Sequence, residues 1–230
     1  MSLYLLHGAL GSAEQLLPLE QGLAEVPDVP EVRRVEFAGH GTTPLGDRDF
    51  SIDAFAAQLL ERLDADGVKR ADFFGYSMGG YVALVLALQH PERVRRIVTL
   101  GTKFEWTPDV AAKEVSRLDA AKIRAKVPKF AEQLEHRHAG ADGWEATLAS
   151  TAALLTQLGD RPQLTAESLA TISIPVCVGV GDSDVTVDVD ESTRVSQQLG
   201  AGSLMVLPNT PHPLEQVDKS LLAAMVIRLF

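Results

Sequence analysis

The sequence predicts an α/β domain: a mostly parallel sheet of about six strands flanked by helices, with a short helical insertion. Three observations predict it. Short apolar runs alternate with longer amphipathic segments, the pattern of a sheet covered by helices. Several of those runs are apolar throughout, as strands buried on both faces are. The stretch from about 102 to 169 breaks the alternation; it is helical in pattern and rich in Ala, Leu, Glu and Lys. At 230 residues the chain suits one domain with a substantial core. The insertion is expected to sit as a cap over one end of the sheet.

Strands are predicted at Leu3–Leu6, Val32–Phe37, Ala71–Phe74, Arg96–Leu100, Ile174–Val180 and Ser203–Leu207. The helix over Ile52–Asp64 has a readable start, with Ser51 as N-cap and Phe50 and Phe55 spaced for a hydrophobic staple. Met78–Gln89 reads as a second helix, almost wholly apolar and so buried. His90-Pro91 ends it, because a residue before proline is pushed out of the helical region. Smaller helices are predicted after Ser12, over Ser192–Leu199 and from Leu214 to the end.

Hydrophobic residues make up 46% and charged residues 23%, which is ordinary for a globular protein. The net charge of −10, with no basic run, argues against nucleic acid and anionic membranes as partners. Cys177 has no second cysteine to pair with, and its apolar setting, Ile174–Val178, marks it as a core residue. The opening residues from Met1 lack a basic leader, so no signal peptide is expected. No apolar run reaches the ~20 residues that span a bilayer. The expected setting is the cytoplasm and the expected partner a small-molecule substrate; monomer and homodimer both stay open.

The sharpest local signal is Gly75-Tyr76-Ser77-Met78-Gly79, a G-x-S-x-G between a predicted strand and a predicted helix. A serine there sits on a tight, strained turn with its Oγ raised above the sheet edge, and side chains two positions either side would collide with the turn. A hydroxyl needs a neighbouring base to become a nucleophile. Among six histidines, His7 and His40 follow early strands and His90 ends a helix. His136 and His138 are two apart on a predicted helix and face different sides. His212, in the loop after the last strand and flanked by Pro211 and Pro213, is the candidate base. A carboxylate is needed at a late strand end. Asp184 is the better candidate, while Asp182 suits a turn-stabilising hydrogen bond. Donors for an oxyanion are expected from the backbone N–H of Met78 and of Ala9, with Leu10 as the alternative to Ala9.

These residues resemble the α/β-hydrolase fold superfamily, in its small, capped, esterase-like form. The resemblance rests on LLHGALGS, FAGHGTTP, GYSMGG, HPERVRRIV, IPVCVGVGDSDVTV and PNTPHPLEQV, in that order along the chain. It implies Ser77 as nucleophile, Asp184 as acid, His212 as base, and Ala9 and Met78 as oxyanion donors. The leading strands usual in the family are missing, so the sheet should be short at that edge. The loop Glu36–Gly41 departs from the family's Asp-x-Pro-Gly-His-Gly.

The expected chemistry is two-step acyl transfer on a small ester-type substrate, with no metal or organic cofactor; neither a phosphate-binding G-x-x-x-x-G-K nor a dinucleotide G-x-G-x-x-G stands at a strand end. The same triad also serves carbon–carbon hydrolysis, lactone opening or perhydrolysis, and a non-catalytic binding protein on this scaffold is the rival from another class. Substrate contacts are expected from Leu10, Phe104, Trp106, His138 and Trp144, against the alternative that the aromatics pack the cap onto the body.

Overall fold

The computed structural model describes residues 2–27 and 29–228. Its strands are β1 (Ser2–Leu6), β2 (Glu31–Val35), β3 (Ala71–Tyr76), β4 (Val94–Leu100), β5 (Val176–Gly181) and β6 (Gly202–Leu207). They form one sheet in the order β2-β1-β3-β4-β5-β6, every neighbouring pair parallel. The chain steps outward from β1 to β2, then returns to lay β3 on the other side of β1. That reversal opens a crevice at the carboxyl ends of β1 and β3, where open α/β sheets bind ligands.

Helices α1 (Leu17–Ala24) and α10 (Lys219–Arg228) belong to one apolar layer, α2 (Ile52–Ala65), α3 (Met78–Gln89) and α9 (Val189–Gln198) to the other. Neighbouring strand residues divide between them. Leu3, Leu5, Phe74 and Val98 pack with α1 and α10; Tyr4, Leu6, Phe73 and Ile97 pack with α2 and α3. Both faces of the central strands are covered, so β1 from Leu3 and β5 read as unbroken apolar runs, while the edge strand β2 does not. Each large side chain so buried contributes roughly 1.5–3 kcal/mol. Cys177 lies buried in β5.

Local signals account for most boundaries. Ser51 Oγ accepts from Ala54 N–H at 3.2 Å, and the Phe50 and Phe55 rings meet edge-on at 5.1 Å. Helix α3 is buried from Met78 to Ala87, which is why it shows no polar stripe. Several boundaries shift by a residue or more from the sequence reading, and for two of them a local cause is visible. Strand β2 stops at Val35 and not Phe37, because Phe37 N–H turns to the buried His7 ring at 3.1 Å. Helix α9 starts at Val189, ahead of Ser192, because the Asp188 carboxylate caps it through Glu191 N–H at 2.6 Å. The C-terminal helix breaks after a short turn at Leu214–Gln216 and resumes as α10; Leu229 and Phe230 lie outside the described residues, as does Met1.

Between β4 and β5 the chain forms α4 (Pro108–Val115), α5 (Ala120–Lys126), α6 (Pro128–Arg137), α7 (Trp144–Asp160) and α8 (Ala166–Thr171). Ile123, Ala131, Leu134, Trp144 and Leu148 make a small core there, against which Leu10 of the β1 loop packs. The far end of α7, Leu154 and Leu158, joins the main core. Among the described residues no helix is long and apolar enough to cross a membrane.

Candidate active site

The loops that follow β1, β3, β4, β5 and β6 converge at one edge of the sheet. Ser77, between β3 and α3, has φ 51° and ψ −118°, a left-handed backbone that costs a non-glycine residue energy. Its neighbours make the turn possible. A Cβ on Gly75 would stand 2.4 Å from the Gly80 backbone, and one on Gly79 2.6 Å from Leu6 O. The turn is fastened by Ser77 N–H to Leu100 O at 2.8 Å and by Thr102 Oγ1 donating to Ser77 O at 2.8 Å.

Asp184 and His212 come together from the loops after β5 and β6. His212 Nδ1 lies 2.7 Å from Asp184 Oδ2. The other carboxylate oxygen accepts from Thr186 N–H at 2.7 Å and Val187 N–H at 3.0 Å. A carboxylate can only accept, so Nδ1 carries the proton and Nε2 is left as the basic nitrogen of the neutral ring. Burial pushes the Asp184 carboxyl up. The hydrogen bond and charge of His212, with the two N–H donors, outweigh it and hold the carboxyl below the usual range. Asp182 stands outside this pair. Its Oδ1 accepts from Ser183 Oγ at 3.0 Å and Thr210 N–H at 3.3 Å, fixing the turn that presents His212. Tyr76 Oη adds a further tether, donating to His212 O at 2.9 Å.

Ser77 and His212 both line a cavity of about 450 Å³, as do Ala9, Leu10 and Met78. Among the described residues the Ala9 N–H has no hydrogen-bond partner, and Met78 is the first residue of α3, where an N–H has no acceptor within its own helix. The rest of the wall is mainly apolar, with Trp106, Tyr81, Ile123, Leu154 and Leu158. A second groove of about 760 Å³, more polar than the first, shares Ala9, Leu10, Phe130 and His212 with it. Among the described residues no three His, Cys, Asp or Glu side chains are grouped to hold a metal.

Of the five expected substrate contacts, Leu10 and Trp106 line the cavity. The other three need correction. Phe104 is 1% exposed in the main core, drawn inward by its N–H to Glu191 Oε1 at 2.6 Å. Trp144 packs in the core of the insertion with the Arg124 guanidinium 5.0 Å over its ring. His138 is fully buried between two loops. Aromatic and imidazole rings there were recruited for packing and bridging. Nothing in the local sequence pattern of Tyr76, Tyr81 and Thr102 separates them from core residues. The Leu154–Leu158 spacing on α7 was the available signal for the cavity wall.

Three buried histidines surround the β1 loop. Burial, with His7 nearby, holds His40 well below the usual histidine range, and burial lowers His138 too. His7 and Arg137 disfavour a proton on His138 while Glu36 and Leu10 O favour one. Both rings bind a proton less readily in the fold than in the unfolded chain, which protonates them below about pH 6.5. Stability is therefore full above that pH and falls as pH drops toward their depressed folded values. Each proton bound only by the unfolded chain tilts the balance by up to about 1.4 kcal/mol per pH unit. Denaturant midpoints measured at pH 7.5 and 5.5 should fall in that order; a flat or rising profile would show the rings titrating normally.

The chain belongs to the alpha/beta hydrolase fold family, whose sequence model matches residues 2–141. It is similar to 2-hydroxymuconate semialdehyde hydrolase of Pseudomonas sp. (strain CF600), 37% identical over 81 residues, 34% of this chain and 29% of that protein. It is similar to pimeloyl-[acyl-carrier protein] methyl ester esterase of Neisseria meningitidis serogroup B, 34% identical over 106 residues, 46% of this chain and 38% of that one. The chain thus spans less than two fifths of the length of these two relatives. A longer alignment, 28% identical over 210 residues, covers 82% of the chain and 74% of 3-oxoadipate enol-lactonase 2 of Acinetobacter baylyi. The enol-lactonase structure from Burkholderia xenovorans LB400 superposes with a TM-score of 0.77 at 17% identity, covering 99% of this chain and 90% of that one. At that identity the likeness is one of fold.

Proposed function

We propose that this chain is a serine hydrolase that cleaves a small ester with an apolar acyl group through an acyl-enzyme on Ser77. The observation that carries the reading is the Asp184–His212 pair, at 2.7 Å, whose imidazole lines the cavity that also holds the strained Ser77. His212 Nε2 takes the Ser77 proton as Oγ attacks the carbonyl, and the N–H groups of Ala9 and Met78 hold the oxyanion. The intermediate expels the alkoxide, which takes the proton from His212. Water then adds to the acyl carbon by the same steps and releases the acid and Ser77. No cofactor enters this scheme.

The acyl part stays bonded to Ser77 after the first step, so the apolar cavity, which includes Ser77 and Met78, is its place. The leaving group departs past His212 into the more polar groove, which shares His212 but not Ser77. Helices α4–α8 act as the cap over this site. The net charge of −10 favours a small molecule over nucleic acid or an anionic membrane as partner. Lactone opening is the second reading, favoured by the long alignment with the enol-lactonase; it uses the same steps with the leaving oxygen still tethered.

A fluorophosphonate probe should label the purified protein. p-Nitrophenyl esters and γ-lactones, each in a series of chain lengths, then separate the readings. Ester turnover that rises with chain length and stops where the cavity is full supports the ester reading, and turnover confined to lactones supports the second. An unlabelled, folded protein that ignores both panels sinks the hydrolase reading.

A further inference from the structure

Helix α6 ends at Arg137, followed by the fully buried His138, and both side chains reach across to one atom, the carbonyl oxygen of Leu10. Arg137 Nη1 donates to it at 2.9 Å and His138 Nε2 at 3.1 Å. The other nitrogen of His138, Nδ1, accepts from Gly41 N–H at 3.0 Å. A carbonyl cannot donate and an amide N–H cannot accept, so the ring is fixed as the neutral Nε2–H tautomer. Leu10 itself sits at φ 56°, a left-handed backbone that a leucine holds only under external constraint.

The consequence passes through two peptide planes. A trans peptide is planar, with its C=O and N–H pointing opposite ways. With Leu10 O held toward α6, the N–H on the far side of that peptide, Gly11 N–H, turns to Gly8 O and donates at 3.0 Å. His7 Nδ1 donates to the same oxygen at 2.9 Å. Gly8 O is thereby held away from the cavity, and the N–H across its own peptide plane is that of Ala9. Ala9 lines the cavity beside Ser77.

We propose that Arg137 and His138 are positioning residues that aim the Ala9 N–H at the oxyanion, relaying the seating of the cap to the catalytic loop through the Leu10 and Gly8 carbonyls. The proposal rests on the acyl-enzyme reading above. It adds that the insertion does more than shape a pocket: its docking completes the electrophilic half of the site.

The test uses three variants: Arg137→Met, which keeps an aliphatic stem, His138→Phe, which keeps volume, and His138→Gln, whose amide can still donate to Leu10 O. Kinetics on the best ester are compared with binding of an alkylboronic acid. The boron accepts the Ser77 oxygen, His212 takes the serine proton, and one hydroxyl of the tetrahedral adduct occupies the oxyanion position. Losing an oxyanion donor outright costs about 100- to 1,000-fold; a misaimed one in His138→Phe should cost about 10- to 100-fold in kcat with KM little changed. Boronate affinity should weaken by the same factor, and His138→Gln should recover part of both. Arg137→Met, whose side chain is only partly buried, should fold and show a smaller loss in the same direction. It carries the test alone if His138→Phe does not fold.

Folded variants with unchanged kcat and boronate affinity overturn the relay. So does a loss confined to KM, or a fall in kcat with boronate binding intact. Fluorophosphonate labelling of the parent keeps the two readings apart. An unlabelled parent refutes the acyl-enzyme, while a labelled parent with indifferent variants refutes only the relay.

Discussion

Asp184→Asn should lower kcat about 10⁴-fold with the fold intact, whereas Asp182→Asn should change it only a few-fold. The difference follows from which atoms each carboxylate meets. In the variant the single amide oxygen at position 184 remains the acceptor for Thr186 and Val187 N–H, which are 2.7 and 3.0 Å from Oδ1. Its NH₂ then faces His212 Nδ1, where the carboxylate stood at 2.7 Å. Two donors cannot share that contact, so the imidazole proton moves to Nε2. The nitrogen that should take the Ser77 proton is then already occupied. At position 182 an asparagine oxygen still accepts from Ser183 Oγ and Thr210 N–H, and the turn under His212 survives. Initial rates of ester hydrolysis, with circular dichroism to confirm folding, check both. Equal losses in the two variants would mean the Asp184 assignment is wrong.

The sequence showed the carboxylate–imidazole pair because such chemistry demands particular side chains at strand ends, and strand ends are marked by apolar runs giving way to Gly, Asp and Pro. Asp184 and His212 each follow such a run. The start of α9 is less plain, because the acidic run Asp188-Val189-Asp190-Glu191 looks like a solvated loop until its capping bond is seen. The insertion was harder for a physical reason. A ring at position 104, 138 or 144 announces that it wants burial or a partner, but helix periodicity does not say against which surface. The structure gives Phe104 to the main core, Trp144 to the small one, and His138 to Leu10 and Gly41. The β1 loop hides its role for a different reason. Ala9 is expected to act through its backbone, so its direction depends on neighbouring peptide planes, one of them held at Leu10 by a residue 128 positions further along.

Ser77→Ala and His212→Ala should each remove about 10⁶-fold of kcat, and the double variant should be no slower than either. Without the base the hydroxyl keeps its proton, and without the hydroxyl the base has nothing to activate, so the second removal takes away an already idle group. Neither change should unfold the protein. Alanine accepts the φ of 51° at position 77 about as well as serine does, and the buried Asp184 carboxylate keeps two N–H donors when the imidazole is lost. A residual rate of about 10³-fold over water would remain in all three variants, because the Ala9 and Met78 donors and the cavity are untouched. Additive losses would point instead to two independent contributions, with His212 acting on water directly. Variants that match the parent, with apolar ligands still bound, would identify a binding protein built on the hydrolase scaffold. In that case the strained Ser77 backbone would be a relic of the turn and no part of a mechanism.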